Sequence, residues 1–177
     1  IEYLNKCYIN LIEPIEKIYK EKGFHFVTRE GDGTLAYFDG SESRSNCLKF
    51  AQSIVAAVKD SEYKYRIGIA FGNIIVGMIG KERKQLTTIS SVVNEAKRLQ
   101  QIAKEYGDFC SIIYSDDVQF DLPKNPNIVF LSMKKLRGFD RIQKLYTILS
   151  PSDLLYYAND RHGDGKSRLQ FMDNCIV

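Results

Sequence analysis

Asn94 and Arg98 stand four positions apart in SSVVNEAKRLQQ, and Asp32 lies between two glycines in EGDGT. These residue types suit a phosphorylated substrate. A guanidinium stabilises charge on a reacting phosphate, and an amide one helical turn earlier can orient a sugar or phosphate by hydrogen bonding. A carboxylate flanked by glycines allows close approach of a phosphate-bound divalent cation. Each feature alone has a commoner, blander counterpart: a solvated helix face for the Arg and Asn, and a turn aspartate bonding its own backbone for Asp32. Their placement on the chain has to decide between the two.

Val92, Val93, Ala96, Leu99, Ala103 and Tyr106 recur at helical spacing until Gly107, so Asn94 and Arg98 share one helix face. Ser90 or Ser91 is placed to cap that helix. Upstream, Ile67, Ile69 and Phe71, then Ile75 and Ile79, frame the turn signal Gly72-Asn73 and predict a hairpin, followed by a polar loop. Asp32 falls at the tip of another predicted hairpin, between strands over Phe24 to Thr28 and Thr34 to Phe38. A first helix is predicted over Leu4 to Tyr19, kinked at Pro14 and ended by Gly23, and a second over Ser45 to Lys59. Strands are predicted over Phe109 to Tyr114, Ile128 to Met133 and Ile142 to Leu149, with a turn-rich connection over Asp116 to Asn127 and a basic loop over Lys134 to Asp140. This order has too little strand-helix-strand alternation for a doubly wound fold. It predicts the α+β class, a mostly antiparallel sheet with helices packed on one face.

The chain has 177 residues, 44% hydrophobic and 27% charged, which suits one domain with a sizeable core. That domain is read as residues 1–150, with 151–177 a linker or tail. Net charge is +3 from 25 basic and 22 acidic residues, a balance that argues against nucleic acid as a partner. Cys7, Cys47, Cys110 and Cys175 form no CxxC pair, and they read as reduced thiols of a cytoplasmic protein. No apolar run approaches a membrane span, so any tether to a membrane is expected in the parent protein outside this chain. Ile1 opens directly into an amphipathic pattern, which reads as a piece of something longer. The glycines Gly68, Gly72, Gly77 and Gly80 match neither GxxxxGK[ST] nor a GxGxxG joining strand to helix, and they read as hairpin-shaping residues.

Four ordered segments together resemble the catalytic domain of the class III adenylate and guanylate cyclases. EGDGTLAYF (Glu30 to Phe38) resembles (I/F)GDG-hydrophobic-(A/V)-F, and RIGIAFGNIIVGMIG (Arg66 to Gly80) resembles R-(I/V)-G-(I/L)-H-x-G-x-V-V-x-G-x-(I/V)-G. TTISSVVNEAKRL (Thr87 to Leu99) resembles T-x-x-G-D-x-V-N-x-A-A-R-L, and LRGFDRIQKLYTI (Leu136 to Ile148) resembles a closing L-K-G-K-x-x-x-x-V-Y-x-V. The resemblance covers about Leu4 to Leu149. It implies a ferredoxin-like α+β fold that pairs head to tail, as a homodimer or with another cyclase domain, with sites at the interface. There two aspartates hold two Mg²⁺ or Mn²⁺ ions on a nucleoside triphosphate, the ribose 3′-hydroxyl attacks the α-phosphate, and pyrophosphate leaves.

Carried over by position, the resemblance implies that Asp32 is a metal ligand, Asn94 the ribose-orienting amide and Arg98 the arginine that stabilises the transition state. Thr28 takes the position of the base-reading lysine, and Thr87 falls where adenylate cyclases carry Asp or Thr and guanylate cyclases usually Cys, which points to ATP. The departures are concrete. The other metal aspartate is expected on a strand before the first helix, at a point ahead of Ile1; the phosphate-binding lysine after Gly138 is Phe139 with Arg137 and Arg141 nearby, and the usual Gly-Asp before the helix is Ser90-Ser91. In the tail, Phe171-Met172-Asp173 resembles that strand, so Asp173 is a candidate second metal ligand, beside the alternatives of an aspartate upstream of Ile1 and of a tail with no such role. The leading expectation is an adenylate cyclase domain making cyclic AMP. The competing one is a degenerate cyclase-homology module that dimerises or binds nucleotide to regulate a partner. A diguanylate cyclase is disfavoured, since no GGDEF or GGEEF occurs.

Overall fold

The computed structural model describes residues 8–30, 33–60, 65–82, 85–106, 111–120, 122–151 and 153–154. Its contacts divide the chain into two compact units, one from Ile1–Tyr65 with Gly72–Asn94 and one from Arg66–Phe71 with Glu95–Val177. The element types are those of the α+β class, with the strand pairs antiparallel except one.

In the first unit, helix α1 (Glu13–Tyr19) follows a π-helical turn over Tyr8–Ile12 and runs into a 3-10 turn over Lys20–Lys22. Pro14 lies in the first turn of α1, where its missing N–H leaves no bond unmade. It stands where the π winding of Tyr8–Ile12 gives way to α winding. Strands β1 (Phe24–Glu30) and β2 (Gly33–Phe38) pair antiparallel from Phe24↔Phe38 to Glu30↔Gly33, with an irregularity between Phe26 and Thr28. Helix α2 (Ser43–Val58) turns Leu48, Ala51, Ile54 and Val58 inward at helical spacing. Tyr19, Phe24, Phe38 and Phe50 meet with ring centroids 4.9 to 6.2 Å apart, mostly edge to face. Buried Asn46 donates to the Lys22 carbonyl at 3.2 Å, so its desolvation is offset by a bond that ties α2 to the end of the first helix. Cys47, also on α2, is a free thiol that burial pushes up to about 12, which makes it a packing residue and not a nucleophile.

The Gly72-Asn73 hairpin is corrected. Strand β3 (Ile67–Ile69) belongs to the other unit, while β4 (Ile75–Ile79) pairs antiparallel with β5 (Gln85–Ile89), which occupies part of the expected polar loop. Thr87, Thr88 and Ile89 are β-branched, and that favours a pleated strand over the loop their polarity suggests.

In the second unit, four strands run in the order β3-β6-β8-β7, with β6 at Ile112–Ser115, β7 at Ile128–Lys135 and β8 at Ile142–Ile148. The β3–β6 pair is parallel (Ile67↔Ile112 to Ile69↔Tyr114), and the other two pairs are antiparallel. Helix α3 (Ser91–Ile102), whose first turn to Asn94 is counted with the first unit and the rest with the second, extends through a 3-10 turn over Ala103–Tyr106, and helix α4 is the single turn Asp116–Gln119. Leu99, Ile102 and Ala103 pack with Ile113, Leu131, Leu136 and Leu145 into one core. Among the described residues no helix is long and apolar enough to cross a membrane.

Candidate functional site

Helix α3 begins at a cap that the sequence marks. The Ser90 hydroxyl accepts from the Val92 N–H at 3.0 Å and donates to the Asn73 carbonyl at 2.7 Å, so one side chain satisfies an orphan helix donor and fastens the turn before β4. This is the work available to Ser90-Ser91 where the family pattern has Gly-Asp. Lower on the helix, β3 crosses so near that a Cβ on Gly68 would lie 2.0 Å from the Ala96 carbonyl oxygen and 2.4 Å from the Gln100 nitrogen. Both atoms are backbone, so only glycine fits.

Held in this way, α3 buries Glu95, Leu99 and Ile102 and turns Asn94 and Arg98 to another face. Asn94 is exposed. Arg98 is half-buried, and its Nη1 donates to Gln101 Oε1 at 3.0 Å, which draws the guanidinium along the helix surface. Thr28 lies on β1 just after the irregular register and lines an open groove with Tyr8, Glu13, Glu16, Phe26 and Val27. The Tyr8 hydroxyl donates to Glu16 there. Thr87 lies on β5, opposite Gly77 and half-buried, and β5 runs beside β1 in the same unit. Asp32 and Asp173 lie outside the described residues. Among the described residues, no group of three or more His, Cys, Asp and Glu side chains is placed to hold a metal ion.

After Gly138, where the family pattern has a phosphate-binding lysine, this chain has Phe139. Leu136 to Phe139 form a turn closed by the Phe139 N–H on the Leu136 carbonyl at 3.1 Å, with Gly138 at φ +88° supplying the left-handed position. The turn sends the Phe139 ring against the unit's core. Arg141 is held by both oxygens of Asp117, which keep its guanidinium firmly protonated, while Arg137 is exposed. Sequence reasoning missed Glu95. The readable signal was its position four before Leu99 and seven before Ile102, a carboxylate on the apolar stripe.

The sequence profile of the Adenylate and Guanylate cyclase catalytic domain matches residues 6–118. An uncharacterized protein of Mycobacterium tuberculosis (strain ATCC 25618 / H37Rv) is 34% identical over 84 residues, which are 44% of this chain and 15% of the relative. The chain thus spans only a small part of the curated relatives it matches. Among solved structures, a bacterial light-regulated adenylyl cyclase superposes with a TM-score of 0.68 at 17% identity, over 89% of this chain and 48% of that one. The guanylate cyclase domain of RhGC from Catenaria anguillulae, in complex with GTP, superposes with a TM-score of 0.65 at 21% identity, over 83% of this chain and 81% of the other. These likenesses carry the fold, and the profile match runs over more than half of the sequence, through Asn94 and Arg98. The chain belongs to the adenylate and guanylate cyclase catalytic domain family.

Proposed function

We propose that this chain is the nucleotidyl cyclase module of a signalling protein, acting on ATP across an interface with a second cyclase domain. The observation that carries the reading is α3. A capped, glycine-packed helix presents Asn94 and Arg98 one turn apart, at the positions the family uses for the ribose and the reacting phosphates. Arg98 would stabilise the charge that builds on the phosphates, and Asn94 would orient the ribose so that its 3′-hydroxyl lies in line with the α-phosphate. Asp32 is the carboxylate assigned to Mg²⁺ or Mn²⁺, with Asp173 as the candidate second ligand. When bound, the ions neutralise phosphate charge and polarise the attacked centre. Thr28 and Thr87 would face the base. The groove at Thr28 also carries Glu13 and Glu16, whose acceptor oxygens suit the exocyclic amine of adenine.

The exposed apolar side chains of the β4–β5 ribbon support association with a second copy or a related domain. Ile75 is 71% exposed, Met78 57% and Ile89 58%. A second reading, a regulatory cyclase-homology module without turnover, is favoured by one observation: Phe139 packs inward and Arg141 is engaged by Asp117, so the usual phosphate cation has no direct replacement at either position.

The test is incubation of the full-length protein with Mn²⁺ and ATP or GTP, measuring cyclic nucleotide, with association state checked by sedimentation. Cyclic AMP is expected in excess over cyclic GMP. Arg98→Ala should lower the rate by about 10²–10³-fold, the loss typical of removing one group that stabilises a transition state. No product from associated protein at high concentration overturns the enzyme reading in favour of the regulatory one.

A further inference from the structure

We infer that Glu95 is a positioning residue: wedged between α3 and the sheet among Ser115, Gln143 and Arg141, it sets the rotation of α3 about its axis and so the direction in which Arg98, three residues on, is presented. The last link rests on the reading of Arg98 given under Proposed function.

Glu95 is 4% exposed, while Ser115 and Gln143 are fully buried. Ser115 pairs with Leu145 across the β6–β8 ladder, so Ser115, Gln143 and Leu145 fall on one sheet face by the alternation of the strand. Leu145 packs against Leu99 and Ile102 in the core, and this identifies that face as the one covered by α3. Glu95 thus enters a small polar patch inside an otherwise apolar contact. Arg141 Nη2 stands 3.9 Å from its carboxylate and is itself held by Asp117, with Asp116 the next acid in the chain.

Glu95 Oε1, Ser115 Oγ and both amide atoms of Gln143 have no hydrogen-bond partner among the described residues. They include both donors and acceptors. Burial, with a smaller contribution from Asp117, holds the Glu95 pKa above the ordinary glutamate value against the opposing pull of Ser115, Arg141 and Gln143.

A buried polar group has few satisfactory orientations, whereas the Leu99 and Ile102 contacts tolerate sliding and rotation far better. A polar peg therefore specifies the angle of the helix where apolar packing specifies only its distance. The angle matters here because Arg98 leaves the same turn of helix.

The experiment compares Glu95→Gln and Glu95→Ala in the full-length protein by amide hydrogen exchange over Val92 to Ile102, by the pH dependence of unfolding, and by kcat and KM for Mn-ATP. Gln keeps the size and an acceptor oxygen and adds a donor for the Gln143 carbonyl, so it should keep exchange within about 3-fold of wild type. Ala should raise exchange along α3 by 10-fold or more and lower kcat by 10-fold or more while KM moves less than 3-fold. In wild type, native Glu95 keeps a proton that the unfolded chain has already lost as pH rises from the ordinary carboxylate range towards the raised native value. Stability should therefore fall with rising pH in that window, and Glu95→Gln should lack this component.

Unchanged exchange in Glu95→Ala overturns the inference whether or not the protein turns over nucleotide. So does an equal loss of kcat in Ala and Gln, or loosened exchange with kcat intact. Absence of turnover in wild type, with exchange behaving as expected, instead overturns the cyclase reading and leaves the peg in place.

Discussion

Two antiparallel strand pairs in this protein share a backbone pattern and differ in what becomes of their side chains. In β8 the exposure alternates, with Gln143, Leu145 and Thr147 buried and Ile142 and Lys144 in solvent, and Leu145 closes a core beneath α3. In β4, Ile75, Val76, Met78 and Ile79 are all exposed, so apolar side chains stand on both faces of the ribbon. Ladder hydrogen bonds are thus equally compatible with a dry interior and a wet apolar arm, and burial follows from the element that covers the strand. Leu145→Ala gives the comparison its hardest test. Truncating this fully buried side chain should cost about 2–5 kcal/mol, read by urea unfolding, because the surrounding helix and strands cannot collapse fully into the space. A cost below about 1 kcal/mol would mean that the core is not closed there.

The ribbon should respond in the opposite way. Replacing Ile75 and Met78 together by lysine removes exposed apolar surface, so the unfolding free energy should stay within about 0.5 kcal/mol for each change. Association measured by sedimentation should weaken by 10-fold or more, since two charges would then be desolvated at the interface. Unaltered association would separate the ribbon from the dimer contact, and a large stability loss would place it in the protein's own core.

How far the sequence disclosed this follows the same division. The periodicity of α3 was legible because helical spacing of apolar residues reports a buried stripe directly, and the placing of Asn94 and Arg98 away from that stripe came with it. The Ser90 cap was legible as a residue type, although its second bond to Asn73 was not. The parallel β3–β6 pair was not legible, because its strands are far apart in the chain and no turn chemistry marks their register. Gly68 read as a hairpin glycine, yet its cause is the α3 backbone crossing at contact distance, a tertiary fact. Thr87 and Thr88 read as loop by their polarity, whereas their β-branching suits the strand they form. Phe139 was legible only as a missing lysine, and its inward turn depends on Gly138 and on the core beside it.

The smallest effect concerns the start of α3, and it separates two jobs done by one oxygen. Ser90→Ala removes both the bond from the Val92 N–H and the bond to the Asn73 carbonyl, and should cost about 1 kcal/mol, the usual loss for a helix cap. Ser90→Asp restores an acceptor for the helix but cannot donate to Asn73 when ionised, and it sets a carboxylate against a carbonyl oxygen. Ser90→Thr keeps both functions. If the cap is what counts, Asp and Thr should both fall within a few tenths of a kcal/mol of wild type, and hydrogen exchange should rise only in Ala and only in the first turn of α3. If the tie to Asn73 is what counts, Asp should resemble Ala, and the exchange should rise in the turn before β4. Either result should leave the β7–β8 amides unmoved, because their protection comes from the core under Leu145 and not from the end of the helix above it.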